Sequence, residues 1–216
     1  MPSLPIACIV AGHGEVQAVP ILIRRIAAVV DPALSIDVQS PLRVPRSTLI
    51  RDQELERAVE LAARKTGGRG GILIRVDSDD DCPAEPGPQL LARAHKTRSD
   101  LPISVVLAKR EFEAWFLSSA ELLRGKRGLP GNRTSPPSPE SIRGAKQWMT
   151  RHMTGGRTHT ETLDQPALTA LFDLDQAATA LFDLDQAAHR SDSFDKCLRE
   201  ITSLIVRLRP TDPSPT

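Results

Sequence analysis

The sequence has no tyrosine and few aromatic residues of any kind, with two tryptophans and five phenylalanines among its 216 residues. Its three cysteines are widely spaced and odd in number, which fits neither a disulfide framework nor a paired Cys-x-x-Cys zinc site. Neither sign of charge dominates, because 28 basic and 27 acidic side chains leave a net charge of +1. We therefore expect any contact with DNA to come from a local patch rather than from the field of the whole chain.

Long apolar runs are also missing. The longest, such as the run at 103–108, fall far short of the ~20 residues that cross a bilayer. No charged segment followed by an apolar one opens the chain, as a secretory leader would require. These absences predict a cytoplasmic protein with no membrane partner. The apolar fraction of 40% is ordinary for a folded domain with a sizeable core.

Three nearly continuous apolar runs alternate with helical patterns along the first half of the chain. The runs cover 6–10, 72–76 and 103–107, and runs of this kind are typical of strands buried on both faces. Between the first two, apolar residues recur at spacings of three and four from Val16 to Val30, which predicts an amphipathic helix. The alternation predicts an α/β domain with a central, mainly parallel sheet.

The second half of the chain has a different composition. Residues 125–140 are rich in Pro, Gly and Ser, which predicts a loop, and helical patterns follow over 141–153 and 195–208. We divide the chain into four parts: an α/β domain (1–124), the loop (125–140), a C-terminal helical extension packed on the same domain (141–209) and a tail (210–216). Residues 169–178 repeat identically as 179–188, which we interpret as a local duplication without functional meaning.

An acidic cluster, Asp77-Ser78-Asp79-Asp80-Asp81, follows the second predicted strand. While the chain stays extended, Asp77 and Asp79 project to the same side, and two carboxylates held together favour a cation between them. Ligand sets made only of oxygen select Mg²⁺, Mn²⁺ or Ca²⁺ over zinc. The cluster therefore predicts a divalent metal site. The alternative is a polar turn in which an aspartate caps the following segment.

A glycine turn, Gly12-His13-Gly14-Glu15, joins the first predicted strand to the first helix. Glycines let the backbone approach a ligand, and the free amides at a helix start favour an anion such as phosphate. Gly12 and Gly14 are therefore candidate ligand-binding residues, although the turn does not match a nucleotide-binding fingerprint. The alternative is a tight turn in which Glu15 complements the helix dipole.

A third acidic pair, Glu111 and Glu113, follows the third predicted strand. One of them would point toward the aspartate cluster, unless both serve only the dipole of the next helix. Ligands of parallel α/β sheets bind beyond the carboxyl ends of the strands, so the three motifs converge on one edge. The predicted metal ligands are Glu15, Asp77, Asp79, Asp81, Glu111 and Glu113.

These motifs, in this order, resemble an uncharacterised family of bacterial Toprim-related proteins. The resemblance rests on three segments, 10–15, 77–83 and 110–117, with fainter matches at 145–146 and 191–194. It implies a Toprim-like three-layer α/β fold, a Mg²⁺ (or Mn²⁺) cofactor, action on phosphodiesters, and a role in defence against phage or plasmid DNA beside an ATPase partner protein. The family's usual Val-Glu-Gly reads Val10-Ala11-Gly12 in this chain, so its general acid/base glutamate is absent.

Three functional hypotheses follow. The first is a Mg²⁺-dependent nuclease acting on DNA, with Glu15, Asp77 and Asp79 as catalytic residues. The second is a non-catalytic Toprim-like subunit that binds an ATPase partner, which Ala11 favours. The third is a small-molecule phosphohydrolase, since Asp77 ends a strand as aspartyl nucleophiles do.

Overall fold

Five strands and eight helices make up the part of the chain that the computed structural model describes, residues 3–171 and 190–209. The strands are β1 (Leu4–Val10), β2 (Ile36–Val38), β3 (Leu42–Arg43), β4 (Gly71–Asp77) and β5 (Ile103–Ala108). The helices are α1 (Glu15–Val30), α2 (Arg46–Leu49), α3 (Glu54–Lys65), α4 (Pro86–Thr97), α5 (Glu113–Ser118), α6 (Ala145–His152), α7 (Glu161–Ala170) and α8 (Asp192–Leu208), with a 3-10 turn at Pro139–Ser141.

All strand pairs are parallel, which confirms the predicted α/β class. β1 is central, with β4 and then β5 on one side and the short strands β2 and β3 on the other. The chain therefore moves to one side of β1 after α1 and to the opposite side with β4. At such a reversal of direction, a crevice opens beyond the carboxyl ends of the two strands.

Helices cover both faces of the sheet, giving three layers with an apolar core on each face. Alternate residues of β1 feed the two cores: Cys8 and Val10 pack in the core that includes α1 and α8, and Ile9 packs in the core with α3 and α4. The first core also takes in Met149 of α6 and Leu168 of α7. The predicted helical extension thus packs on the domain itself.

The helices begin and end at other residues than the sequence predicts. α4 starts at Pro86, where a proline is tolerated because an amide in the first turn has no helical partner anyway. α8 starts at Asp192 rather than Asp195, since the side chain of Ser191 accepts a hydrogen bond from the Phe194 amide.

Near the middle of the chain the helices are shorter than the patterns indicate. α5 has only six residues, and α6 begins at Ala145 instead of 141. α7 was not predicted at all. The second copy of the duplication and the tail at 210–216 lie outside the described residues. Within the described ranges, no helix is long and apolar enough to cross a membrane.

Candidate functional site

A buried arginine joins the carboxyl ends of the two central strands. Arg75 of β4 is 1% exposed, and its guanidinium forms an ion pair with Glu15 and a 2.6 Å hydrogen bond to Asp77 Oδ1. The same guanidinium lies over the ring of Phe112, 4.6 Å from its centroid, and 5.0 Å from that of Trp115. One cation is therefore shared by two carboxylates that the sequence placed on separate motifs.

Glu15 begins α1 but its carboxylate turns back toward the end of β1. Its Oε2 accepts a 3.1 Å hydrogen bond from the amide of Ala11. The carboxylate therefore lies beside Ala11, where the family that the motifs resemble carries its glutamate. Burial raises the pKa of Glu15, and the charge of Arg75 offsets part of that rise.

Asp77, the last residue of β4, retains 18% exposure of its side chain. Burial raises its pKa to about 7, against the opposing charge of Arg75, and the charges of Glu15 and Glu113 add to the rise. The charges of the three carboxylates therefore act on one another, and Arg75 pairs with two of them, Glu15 and Asp77. We refer to Glu15, Arg75, Asp77 and Glu113 as the carboxylate cluster.

Glu113, the first residue of α5, is fully buried. Its Oε1 accepts hydrogen bonds from Gln165 Nε2 at 2.8 Å and from His159 Nε2 at 2.9 Å, whereas its buried Oε2 has no hydrogen-bond partner among the residues that the structure describes. Burial opposes ionisation, but the bond from His159 and the charge of Lys146 together lower the pKa of Glu113. A buried carboxylate oxygen without a protein partner is rare, and such an atom usually bonds to water or an ion.

Two helices of the extension close over the glycine turn. Lys146 of α6 donates its amide to Glu111 Oε2 at 3.1 Å, and its Nζ lies 3.3 Å from Glu161 Oε2 of α7. Glu161 Oε1 in turn accepts a 3.4 Å hydrogen bond from the Gly14 amide. The amides of the turn that we expected to face phosphate thus face two of the protein's own carboxylates, those of Glu15 and Glu161.

The two glycines of the turn are needed for these close approaches. A Cβ at Gly14 would lie 2.4 Å from Gln165 Oε1 and equally close to the backbone oxygen of Glu161. A Cβ at Gly12 would lie 2.6 Å from Glu15 Oε1 and 2.7 Å from Glu161 Oε1. Any side chain at Gly14 would therefore push α7 away from the turn.

The rest of the aspartate cluster points away from Asp77. The strand ends at that residue and Asp79 has a φ of +53°, so the alternation expected to align Asp77 with Asp79 does not continue. Both Asp79 and Asp81 form ion pairs with Arg46, and their side chains are 64% and 59% exposed. Asp80 pairs with Arg110 and Arg143.

The structure thus brings together three of the six predicted metal ligands, Glu15, Asp77 and Glu113. Asp79 and Asp81 lie outside the carboxylate cluster, and Glu111 is half-buried beside the start of α6. A cavity of about 220 Å³ lies between Glu111 and the aspartate loop. Within residues 3–171 and 190–209, no group of three His, Cys, Asp or Glu side chains is arranged to hold a metal ion by itself.

Several residues at this site were not predicted from the sequence. Arg75 could be identified from the sequence, because a charged residue in the middle of an apolar strand must be paired when it is buried. Lys146 is indicated in the sequence only by the fainter match to the Toprim-related family at 145–146. No pattern in the sequence points to His159 or Gln165. His159 lies just before α7 and Gln165 lies on it, and the proline at 166 conceals this helix from a sequence-based prediction.

The cysteines are distributed between the core and the surface. Cys8 and Cys197 are buried, and burial raises the pKa of each thiol to about 12. Cys82 is exposed and follows the aspartate cluster directly. The raised pKa of each buried thiol disfavours the thiolate form that nucleophilic attack requires.

Comparison of the chain with protein-family models, curated proteins and solved structures gives no match. The Toprim-related resemblance therefore stays a prediction that rests on the motifs themselves.

Proposed function

We propose that this chain is a Toprim-like, divalent-metal-dependent nuclease that hydrolyses phosphodiester bonds. One observation carries the proposal: Glu15 and Asp77 meet at Arg75 beyond the carboxyl ends of β1 and β4, and Glu113, from a third motif, lies close enough for its charge to raise the pKa of both. A crevice at this position is where parallel α/β sheets bind their ligands. The fold class agrees with the one that the resemblance implies.

The donor atoms of the carboxylate cluster fit a magnesium ion. Among the described residues, Glu113 Oε2 has no hydrogen-bond partner, and the side chain of Asp77 forms one hydrogen bond, through Oδ1, which leaves Oδ2 without one. Mg²⁺ prefers oxygen ligands and is commonly held by one or two carboxylates together with the phosphates of its substrate. Asp77 and Glu113 would thus hold Mg²⁺ or Mn²⁺ with a bound phosphodiester. When bound, such an ion offsets phosphoryl charge and lowers the pKa of a water molecule.

The charge balance of the site favours a cation. Within the described part of the chain, four carboxylates, those of Glu15, Asp77, Glu113 and Glu161, face one arginine, one lysine and one imidazole, those of Arg75, Lys146 and His159. Without a further cation, this excess negative charge contributes to the raised pKa of Asp77. A divalent ion would compete with the proton for the same carboxylate.

The surrounding residues have positioning roles in this proposal. Arg75 fixes the side chains of Glu15 and Asp77, and His159 with Gln165 fixes one oxygen of Glu113 so that the other stays free. Lys146, with 33% of its side chain exposed, is the basic group beside the cluster that would contact the phosphate.

The second candidate function is a non-catalytic subunit that binds an ATPase partner. It is favoured by Ala11, and by the carboxylate of Glu15, which is 1% exposed and held by Arg75. A general base needs access to the proton that it removes, and its loss typically costs about 10²- to 10⁴-fold in rate. In this alternative the carboxylate cluster has only a structural role.

Thermal unfolding and DNA cleavage distinguish the two functions. We expect millimolar Mg²⁺ or Mn²⁺ to raise the midpoint of the wild type, because ligand binding stabilises the folded state by mass action. Asp77→Asn and Glu113→Gln should abolish both the rise and any cleavage. The matched control, Asp79→Asn with Asp81→Asn, should retain both, since these carboxylates lie outside the cluster.

A wild type that neither responds to metal nor cuts DNA would favour the non-catalytic subunit. Ala11→Glu then tests whether the site is a relic, because it restores the glutamate of the related family beside Glu15. Gain of cleavage in that variant would support the relic. A third outcome is that the wild type and the Asp77 variant respond to metal, whereas the control with both Asp79 and Asp81 replaced does not. That result would show that the metal binds at the exposed aspartate loop and not at the carboxylate cluster.

A further inference from the structure

The charge of the chain is unevenly distributed. Residues 122–160 contain eight lysines and arginines and a single acidic residue, Glu140, although the whole chain carries only +1. Glu140 is buried and accepts hydrogen bonds from Ser191 and Ser193, so its charge is not presented at the surface. The basic residues of this segment are Arg124, Lys126, Arg127, Arg133, Arg143, Lys146, Arg151 and Arg157.

This segment folds back on itself, which brings its basic residues onto one connected surface. The amide of Thr154 donates a 2.8 Å hydrogen bond to the Gly128 oxygen, and a Cβ at Gly128 would lie 2.9 Å from Arg157 Cδ. Arg124 donates to the backbone oxygen of Arg133. We call the surface formed by residues 122–160 the basic face.

Flat side chains are stacked within the basic face. The guanidinium of Arg133 lies 4.0 Å from the centroid of the Trp148 ring, and the His152 ring lies 4.0 Å from it at an angle of 37°. All three side chains are partly exposed. The other tryptophan, Trp115, is fully buried in the core and donates to Ser193.

Some of the basic side chains have no protein partner, others reach the candidate site, and Arg127 and Arg157 both pair with the buried Asp164. Lys126 and Arg151 are exposed, and their side chains form no ion pair or hydrogen bond within the described part of the chain. Arg143 pairs with Asp80, and Lys146 pairs with Glu161 beside the carboxylate cluster. The basic face therefore extends from the stacked rings to the candidate site.

We propose that the basic face binds single-stranded nucleic acid, with phosphates on its lysines and arginines and bases against the stack of Arg133, Trp148 and His152. Proteins that hold single strands combine a positive surface with flat aromatic side chains, because every base has a π-face to stack. The inference rests on the proposed function for the reaction that follows binding. The binding itself needs neither metal nor cleavage.

The electrostatic part is tested by fluorescence anisotropy with a labelled oligothymidine in EDTA over a range of salt concentrations. Lys126→Gln with Arg151→Gln should weaken binding roughly tenfold and reduce the salt slope by about 1.4, because each lost phosphate contact on a single strand removes about 0.7. The control, Arg64→Gln with Arg69→Gln, removes two exposed positive charges on and after α3, away from this face. It should leave affinity and slope unchanged.

The stacking part is tested by tryptophan fluorescence and by Trp148→Leu. Binding should quench the fluorescence of Trp148, since Trp115 is buried. The variant should bind about 5- to 100-fold more weakly with the salt slope unaltered, because stacking involves no counterion release. If the variant does not fold, quenching of Trp148 fluorescence in the wild type still shows whether bases stack beside this ring.

Each outcome bears on one proposal. The inference is overturned if wild type fails to bind the oligonucleotide in EDTA at low salt, or if control and test variants weaken alike. Equal affinity for duplex DNA without quenching would overturn the single-strand assignment. Binding with no cleavage when Mg²⁺ is added would support the basic face and contradict the nuclease.

Discussion

Arg75 occupies a position where a charged side chain is rare, in the middle of a strand that is covered on both faces. Its guanidinium is tolerated there because Glu15 and Asp77 supply opposite charge and the rings of Phe112 and Trp115 cover it. Removing one member of such a group leaves the others charged and buried. At the scale of single residues, the cluster is therefore interdependent.

Arg75→Met should lower the free energy of unfolding by about 3–5 kcal/mol at pH 8, because it leaves buried carboxylates unpaired. The folded-state pKa of Asp77, about 7, lies above its ordinary value of 3.8, so the folded protein binds that proton more tightly. This contribution to stability is present below pH 4 and is lost as pH rises toward 7. Without Arg75, whose charge lowers the pKa of Asp77, the free energy of unfolding should fall more steeply as pH rises. The variant should therefore be less destabilised, relative to wild type, at pH 5 than at pH 8.

Urea denaturation in EDTA at the two pH values measures this effect. Arg75→Lys is the matched control, which keeps the charge but loses the planar fork that reaches both carboxylates, and it should recover only part of the stability. An equal loss for the methionine variant at pH 5 and pH 8 would show that Arg75 contributes by packing rather than by charge.

Some residues of the carboxylate cluster can be predicted from the sequence, and others cannot. The sequence singles out Glu15, Asp77 and Glu113 as candidates because acidic residues that follow apolar runs are visible in a linear pattern. Asp79 was placed with them by strand alternation, which ends one residue after β4. The partners of Glu113 come from residues 159 and 165, and no local pattern encodes contacts across such separations.

At the scale of elements, the glycine turn and α7 depend on each other. α7 brings Glu161 and Gln165 against the turn, and the absence of side chains at Gly12 and Gly14 makes that approach feasible. The turn thus serves as a packing surface for the helix that helps to enclose the carboxylate cluster.

Gly14→Ala should lower the free energy of unfolding by roughly 1–3 kcal/mol, the usual cost of overpacking, because its Cβ would meet the backbone of Glu161. Gly131→Ala is the control, since a Cβ at that position meets nothing within 4 Å. Chemical denaturation of both variants checks the difference. Equal stability of the two would mean that α7 does not pack against the turn as described.

The long elements were predictable and the short or proline-containing ones were not. β1, β4, β5 and α1 are continuous enough for their apolar pattern to be recognised. β2 and β3 have three and two residues, too few for any period. Prolines near the start of α4 and inside α7 resemble loop signals, yet tertiary packing keeps both segments helical.

At the scale of the whole molecule, the extension and the sheet share one core. Leu129, Met149, Leu168 and Ile205 pack in the same apolar cluster as β1 and β4, although they lie beyond the predicted α/β domain. The boundary predicted at residue 124 marks a change in the composition of the chain. The apolar core contains residues from both sides of that boundary.

We expect the chain to unfold in one cooperative transition. Urea unfolding followed by circular dichroism and by Trp115 fluorescence, in a Trp148→Phe background, should give coincident midpoints. A chain that ends at residue 124 should show no cooperative transition, because it lacks the apolar residues of α6, α7 and α8. Cooperative unfolding of residues 1–124 alone would contradict the shared core.

The unequal burial of the three cysteines has a practical consequence for spectroscopy. Alkylating reagents attack thiolates that they can reach, so a maleimide dye should attach to Cys82 and spare Cys8 and Cys197 while the fold is intact. Cys82 follows Asp81 directly. The native sequence therefore supplies its own single attachment point for a reporter beside the aspartate loop, with no engineered cysteine required.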